Sequence, residues 1–92
     1  MKKDMNNNEN GSSVRPVLVL RESDNVGVVR TQLSAGDLIE VAGRKIEVRE
    51  AISPGHKLAL QAIPEGAPVI KYGEFIANAT RDIAAGEWIH TH

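Results

Sequence analysis

One short pattern recurs along this chain and commits it to folding from strands and tight turns. Leu33-Ser34-Ala35-Gly36-Asp37-Leu38-Ile39, Ile63-Pro64-Glu65-Gly66-Ala67-Pro68-Val69 and Ile83-Ala84-Ala85-Gly86-Glu87-Trp88-Ile89 share it. Each copy is an apolar anchor, two turn residues, a glycine, two further residues and a β-branched apolar residue. The glycine falls where a tight turn needs positive φ, and Pro64 suits position i+1 of such a turn. The copies are 30 and then 20 residues apart, which is no solenoid period. One turn type reused within a compact, folded-over β unit accounts for them.

Between the turns, apolar residues come in short period-two fragments. Ile39 and Val41 flank Glu40, Ile46 and Val48 flank Glu47, and Val26, Val28 and Val29 surround Gly27. Residues 58–63 read as the longest strand, because Pro54-Gly55 before them and Pro64 after them leave barely two helical turns. In residues 69–74, alternation puts Val69, Lys71 and Gly73 on one face, with Gly73 marking a bend or a close backbone approach. The fold class expected is mostly β.

The 92 residues suffice for one domain. Residues 1–13 contain four asparagines and no periodic apolar positions, so they read as a disordered leader before a foldable unit at 14–92. With 41% hydrophobic but only 3% aromatic residues, the core must come from Val, Ile, Leu and Ala. A core in fewer than about 80 residues is modest, and a partner would add to it. The net charge of -1 provides no basic field for nucleic acid or an anionic membrane. The absence of cysteine removes disulfides and thiolate chemistry. There is neither an apolar run of about 20 residues nor a secretory pattern at the start, so a cytoplasmic protein is expected. Phosphate-loop and dinucleotide glycine motifs are missing, and no nucleophile–His–acid triad can be placed.

Three histidines carry most of the reactive potential. Pro54-Gly55-His56-Lys57 presents His56, an anion binder, metal ligand or proton shuttle, beside Lys57, a point charge for a carboxylate or phosphate. In His90-Thr91-His92, residues i and i+2 of a strand face the same side about 6.5 Å apart, within reach of one ligand or metal. Two imidazoles alone do not make a metal site. Lys71 and Tyr72 are further candidates for substrate contact. Trp88 reads as core or interface, and Arg81-Asp82 as a solvated charge pair.

Several stretches in order resemble a known family. They are Asp24-Asn25-Val26-Gly27-Val28, Ser53-Pro54-Gly55-His56-Lys57-Leu58-Ala59-Leu60, Ile63-Pro64-Glu65-Gly66, Val69-Ile70-Lys71-Tyr72-Gly73-Glu74-Phe75-Ile76-Ala77-Asn78-Ala79 and Ile83-Ala84-Ala85-Gly86-Glu87-Trp88-Ile89-His90-Thr91-His92. Over residues 17–92 the chain resembles the N-terminal SAF domain, or small subunit, of altronate and galactarate dehydratases, and also the small subunit of sulfolactate sulfo-lyase. The sequence departs in lacking the glycine that is usual near Ala77, and in stopping at His92, after which the family has an asparagine. The resemblance implies a β-clip fold and hydro-lyase chemistry on a sugar acid. It also implies iron(II) or another divalent metal held mainly by a large catalytic subunit or domain. Under it His56, His90 and His92 are the catalytic candidates, Lys57, Lys71 and Tyr72 the substrate-binding ones, and His90 with His92 the candidates for metal. A non-catalytic interaction module and a carbohydrate-binding module remain open as alternatives.

Overall fold

In the computed structural model, which describes residues 15–90, all three glycine turns form. The leader and His92 lie outside the described residues. Gly36, Gly66 and Gly86 take φ of 93°, 86° and 90°, a region that side chains other than glycine enter only at a cost. In each turn the amide after the glycine donates to a carbonyl three residues back: Asp37 to Ser34, Ala67 to Pro64 and Glu87 to Ala84. Pro64 therefore stands at position i, not i+1. A fourth turn of the same kind, Ser53-Pro54-Gly55-His56, has Gly55 at φ 93° and is closed by the His56 amide on the Ser53 carbonyl. Here a proline does fill i+1. This copy escapes the sequence pattern because it runs into Leu58 and not into a β-branched residue.

The fourth turn reveals a repeat. The anchors pair in two antiparallel bridges, Leu33 with Ile52 and Ile63 with Ile83. Gly66 follows Gly36 by 66 − 36 = 30 residues, and Gly86 follows Gly55 by 86 − 55 = 31. The extra residue is absorbed by a register shift between the two strands of the second hairpin. The amide of Gly55 donates to Val29 and that of Gly86 to Ala59, so Val29 and Ala59 are equivalent positions in the two repeats.

Eight strands connect these turns among the described residues: β1 (Val17–Leu18), β2 (Val26–Val29), β3 (Leu38–Val41), β4 (Arg44–Glu47), β5 (Lys57–Ala59), β6 (Pro68–Lys71), β7 (Glu74–Asn78) and β8 (Trp88–Ile89). A four-stranded antiparallel sheet has the order β1-β2-β5-β8, and β3-β4 and β6-β7 are hairpins. None of the described residues is helical, so no helix here is long and apolar enough to cross a membrane. This is the small, mostly-β architecture expected, and it is consistent with a β-clip.

Two strand boundaries differ from the sequence reading. Residues 58–63 are not one strand: β5 ends at Ala59, the Leu60 amide turns to the Asn25 carbonyl, and Ile63 pairs separately with Ile83. Lys71 and Glu74 are paired across a hairpin turn, so residues 69–74 do not alternate along one strand. Tyr72 and Gly73 both have positive φ, as do Ala42 and Gly43 at the tip of β3-β4. These are the torsions of a type I′ turn, which favours Asn-Gly. Ala42 is exposed at φ 52°. Ala42→Asn is therefore expected to raise stability by about 0.5–1 kcal/mol, read as a higher urea midpoint at unchanged slope.

Two apolar clusters fill the interior. Val29, Leu33, Val41, Ile46, Val48 and Ile52 form the first with Val17, Leu58 and Leu60; Ala59, Ile63, Val69, Ala79, Ile83 and Ile89 form the second with Val26. The alternation of β2 and β5 between two faces explains the split. Asp24 and Asn25 dock the second hairpin onto the sheet. Asp24, only 3% exposed, accepts the Gly73 amide at 2.7 Å, and Gly73, at φ 77°, marks the bend at the hairpin tip. Asn25 accepts from the Ile70 amide at 2.7 Å and donates to the Pro68 carbonyl at 2.8 Å.

Candidate functional site

The register of the sheet decides which candidate residues meet. Lys57 pairs with Ile89 and Leu58 with Trp88, so one further step along this antiparallel ladder sets His56 opposite His90. Side chains two apart share a face, which puts His56 and Leu58 on the same side as Trp88 and His90. Leu58 is fully buried in the first cluster and Trp88 packs, half-buried, against that cluster. The exposed His56 and His90 continue this face outward. Both rings meet the indole. The His56 centroid is 4.7 Å from Trp88 in an edge-on arrangement, and that of His90 is 4.0 Å away with a 32° tilt.

The segment after the first hairpin holds β8 in place. The Trp88 amide donates to a Glu50 carboxylate oxygen at 3.1 Å, and the Arg49 amide donates to the Gly86 carbonyl at 3.0 Å. Gly86 is buried, and a Cβ there would run into the Glu47 carbonyl oxygen. Glu87 completes the turn through its side chain, accepting the Ala84 amide at 3.0 Å and a guanidinium hydrogen bond from Arg81 at 3.1 Å. Arg81 thus pairs with Glu87, while Asp82 accepts the Glu65 amide at 2.8 Å. Arg81 and Asp82 are not simply a solvated pair with each other.

The Ala84 amide, with Arg81 assisting, holds the Glu87 carboxyl below its ordinary value, against the opposing effect of burial. A carboxyl lowered on folding stabilises the fold above its unfolded value and loses that contribution as pH falls through the folded one. Glu87→Gln should therefore lower stability at neutral pH and flatten its decline below about pH 4.5, as measured by urea melts across pH.

The repeat supplies an internal control on His56. At the last position of the four turns stand Asp37, His56, Ala67 and Glu87, so the turn does not call for an imidazole. Counted from the start of the second repeat, His56 is equivalent to Val26, which is fully buried in the second cluster. Neither the turn nor the strand requires histidine there.

The remaining candidates lie elsewhere. Lys57, half-buried on β5, alternates to the face opposite His56. Lys71 and Tyr72 lie at the tip of the second hairpin, with the Lys71 ammonium 5.0 Å from the Tyr72 ring centroid. That hairpin docks on Asn25, just before β2, whereas the His56 carbonyl accepts from Val29 at the other end of β2. About 13 Å of strand separates the two ends. Among the described residues, no three His, Cys, Asp or Glu side chains gather as a metal site would need. The sequence reading did not place Trp88 at the site. The signal was its spacing: Trp88 and His90 are two apart in a strand.

A small domain built of short strands among its described residues, with His56 and His90 at one end of the central sheet, is consistent with a SAF-type β-clip. The family described as the altronate/galactarate dehydratase SAF domain matches residues 15–92, and the chain belongs to that family. It is 37% identical to altronate dehydratase of Bacillus subtilis over 86% of this chain and 16% of that protein. It is 44% identical to altronate dehydratase of Escherichia coli over 75% of this chain and 14% of that protein. It is also 42% identical to the (2R)-sulfolactate sulfo-lyase subunit alpha of Chromohalobacter salexigens, over 52% of this chain and 51% of that subunit. The chain thus spans roughly a sixth or less of the dehydratases it matches.

Proposed function

We propose that this domain is the small, substrate-facing part of a hydro-lyase that dehydrates a sugar acid of the altronate or galactarate type, acting against a large catalytic subunit or domain. The observation that carries this reading is the meeting of His56 and His90 on one face, at positions the fold does not require, in a chain of this family. Loss of water beside a carboxylate needs a base for the carbon-bound proton, donors for the developing enolate oxygens and an acid for the leaving hydroxyl. His56 and His90 are suited to contact substrate or move a proton, and His92 joins them in the proposal. Lys57, Lys71 and Tyr72 are assigned to substrate binding. Since Lys71 and Tyr72 stand at the other end of β2 from His56, this reading gives them a different part of the substrate or the interface. A divalent metal such as iron(II) is assigned to the large partner, and the complex to the cytoplasm.

The test is co-expression with the large dehydratase-like partner, followed by assays with altronate, galactarate and sulfolactate, with and without this chain. Dehydration of one sugar acid that depends on the chain is expected. Full activity of the large partner alone would make this domain a non-catalytic interaction module. Release of sulfite from sulfolactate would move it to the sulfo-lyase branch.

A further inference from the structure

We infer that Trp88 is the positioning residue of this site: its indole sets the two imidazoles of His56 and His90 as a pair. The inference rests on the functional reading for the purpose of the pair, but the arrangement itself is read from contacts. Both histidines are exposed, and an exposed side chain gives up rotamer freedom only where something holds it. His56 ends a turn and His90 follows the last described strand residue, so their backbones do not fix their rings. The indole does, because it is itself fixed. It packs on the cluster that contains Leu58, and its backbone is tied to Glu50. The edge-on contact of His56 at 4.7 Å lies at a separation where aromatic rings attract each other, and His90 is closer still, its ring tilted 32° against the indole at 4.0 Å. Order passes from the buried core to the indole and from the indole to two otherwise mobile imidazoles. A phenyl ring would preserve part of this wall, and an aliphatic side chain would fill the space without it.

The chain has one tryptophan and three histidines, so imidazole and indole protons can be assigned in the 92-residue chain by NMR. Cross-relaxation from the Trp88 ring to both His56 and His90 is expected, with both imidazoles displaced from free-histidine shifts by the indole ring current. Trp88→Phe should keep both imidazoles near the ring with reduced displacement. Trp88→Leu should return them to free-histidine shifts while the methyl signals of Val26 and Ile63 in the second cluster stay dispersed. Lack of cross-relaxation to either histidine in the native protein would overturn the inference, as would native imidazole shifts in a folded Trp88→Leu. Should Trp88→Leu fail to fold, the native protein and Trp88→Phe decide the question on their own. In the assembly with the large partner, Trp88→Leu should lower kcat about tenfold with KM little changed, and Trp88→Phe should recover most of it. Full turnover in Trp88→Leu would overturn the positioning role. An assembly inactive on every sugar acid even with the native chain would overturn the functional reading instead, leaving the spectra to judge the rings.

Discussion

Gly86→Ala is expected to cost about 3–5 kcal/mol, much of the stability of a domain this small, whereas Gly36→Ala should cost only about 1–2 kcal/mol. Both glycines have nearly the same backbone conformation, φ 90° and 93°, so the torsional penalty is common to the two variants. Their surroundings differ. A Cβ at Gly36 meets nothing within 4 Å, while one at Gly86 strikes the Glu47 backbone and presses on Arg49. A backbone oxygen cannot rotate aside as a side chain can, so either the segment after β4 or strand β8 must shift. That shift would pull Trp88 away from Glu50 and with it the face carrying His90. Urea melts of the two variants measure the difference directly. Equal midpoints would mean that β8 is not seated against Glu47 as described.

His56→Ala and His90→Ala should each lower turnover of the assembly with the large partner by about a hundredfold or more, while moving stability by no more than about 0.5 kcal/mol. The expectation of stability follows from exposure and from the repeat. Both side chains lie outside the clusters, and the equivalent turns accept aspartate, alanine or glutamate where His56 stands. The expectation for turnover follows from the functional reading, since removing a group that transfers a proton in the transition state removes its share of the rate. Steady-state rates and urea midpoints on the same preparations separate the two effects. Near-native turnover in both variants would remove the imidazoles from the chemistry and shift attention to Lys71 and Tyr72.

The turns were legible because glycine at positive φ is a local demand that the residue itself announces. Gly36, Gly66 and Gly86 could be found without knowing what packs around them. The Gly55 turn was harder to find because Leu58, at the end of its pattern, answers to the first cluster and not to the turn. Strand ends were less legible for the same reason. Leu60, Gln61 and Ala62 continue an apolar-looking run, but the Leu60 amide is claimed by Asn25, 35 residues earlier in sequence. The pairing of His56 with His90 depends on register between strands distant in sequence, which no spacing rule supplies. Nor could alternation separate Lys71 from His56, since their distance depends on where Asp24 and Asn25 dock the second hairpin.

The way the two repeats share their strands bears on where such a domain can come from. Val26, from the first repeat, completes the second cluster, while Leu58 and Leu60, from the second, complete the first. The equivalent strands β2 and β5 pair antiparallel, which is the relation a twofold axis imposes. A chain of one repeat, about thirty residues, would lack part of its core and present one open strand edge, and a second copy of itself would supply both. The architecture is that of a closed homodimer written into a single polypeptide. Joining the halves frees each from having to match the other, so that one end of the shared seam keeps the buried Val26 while the other carries the exposed His56.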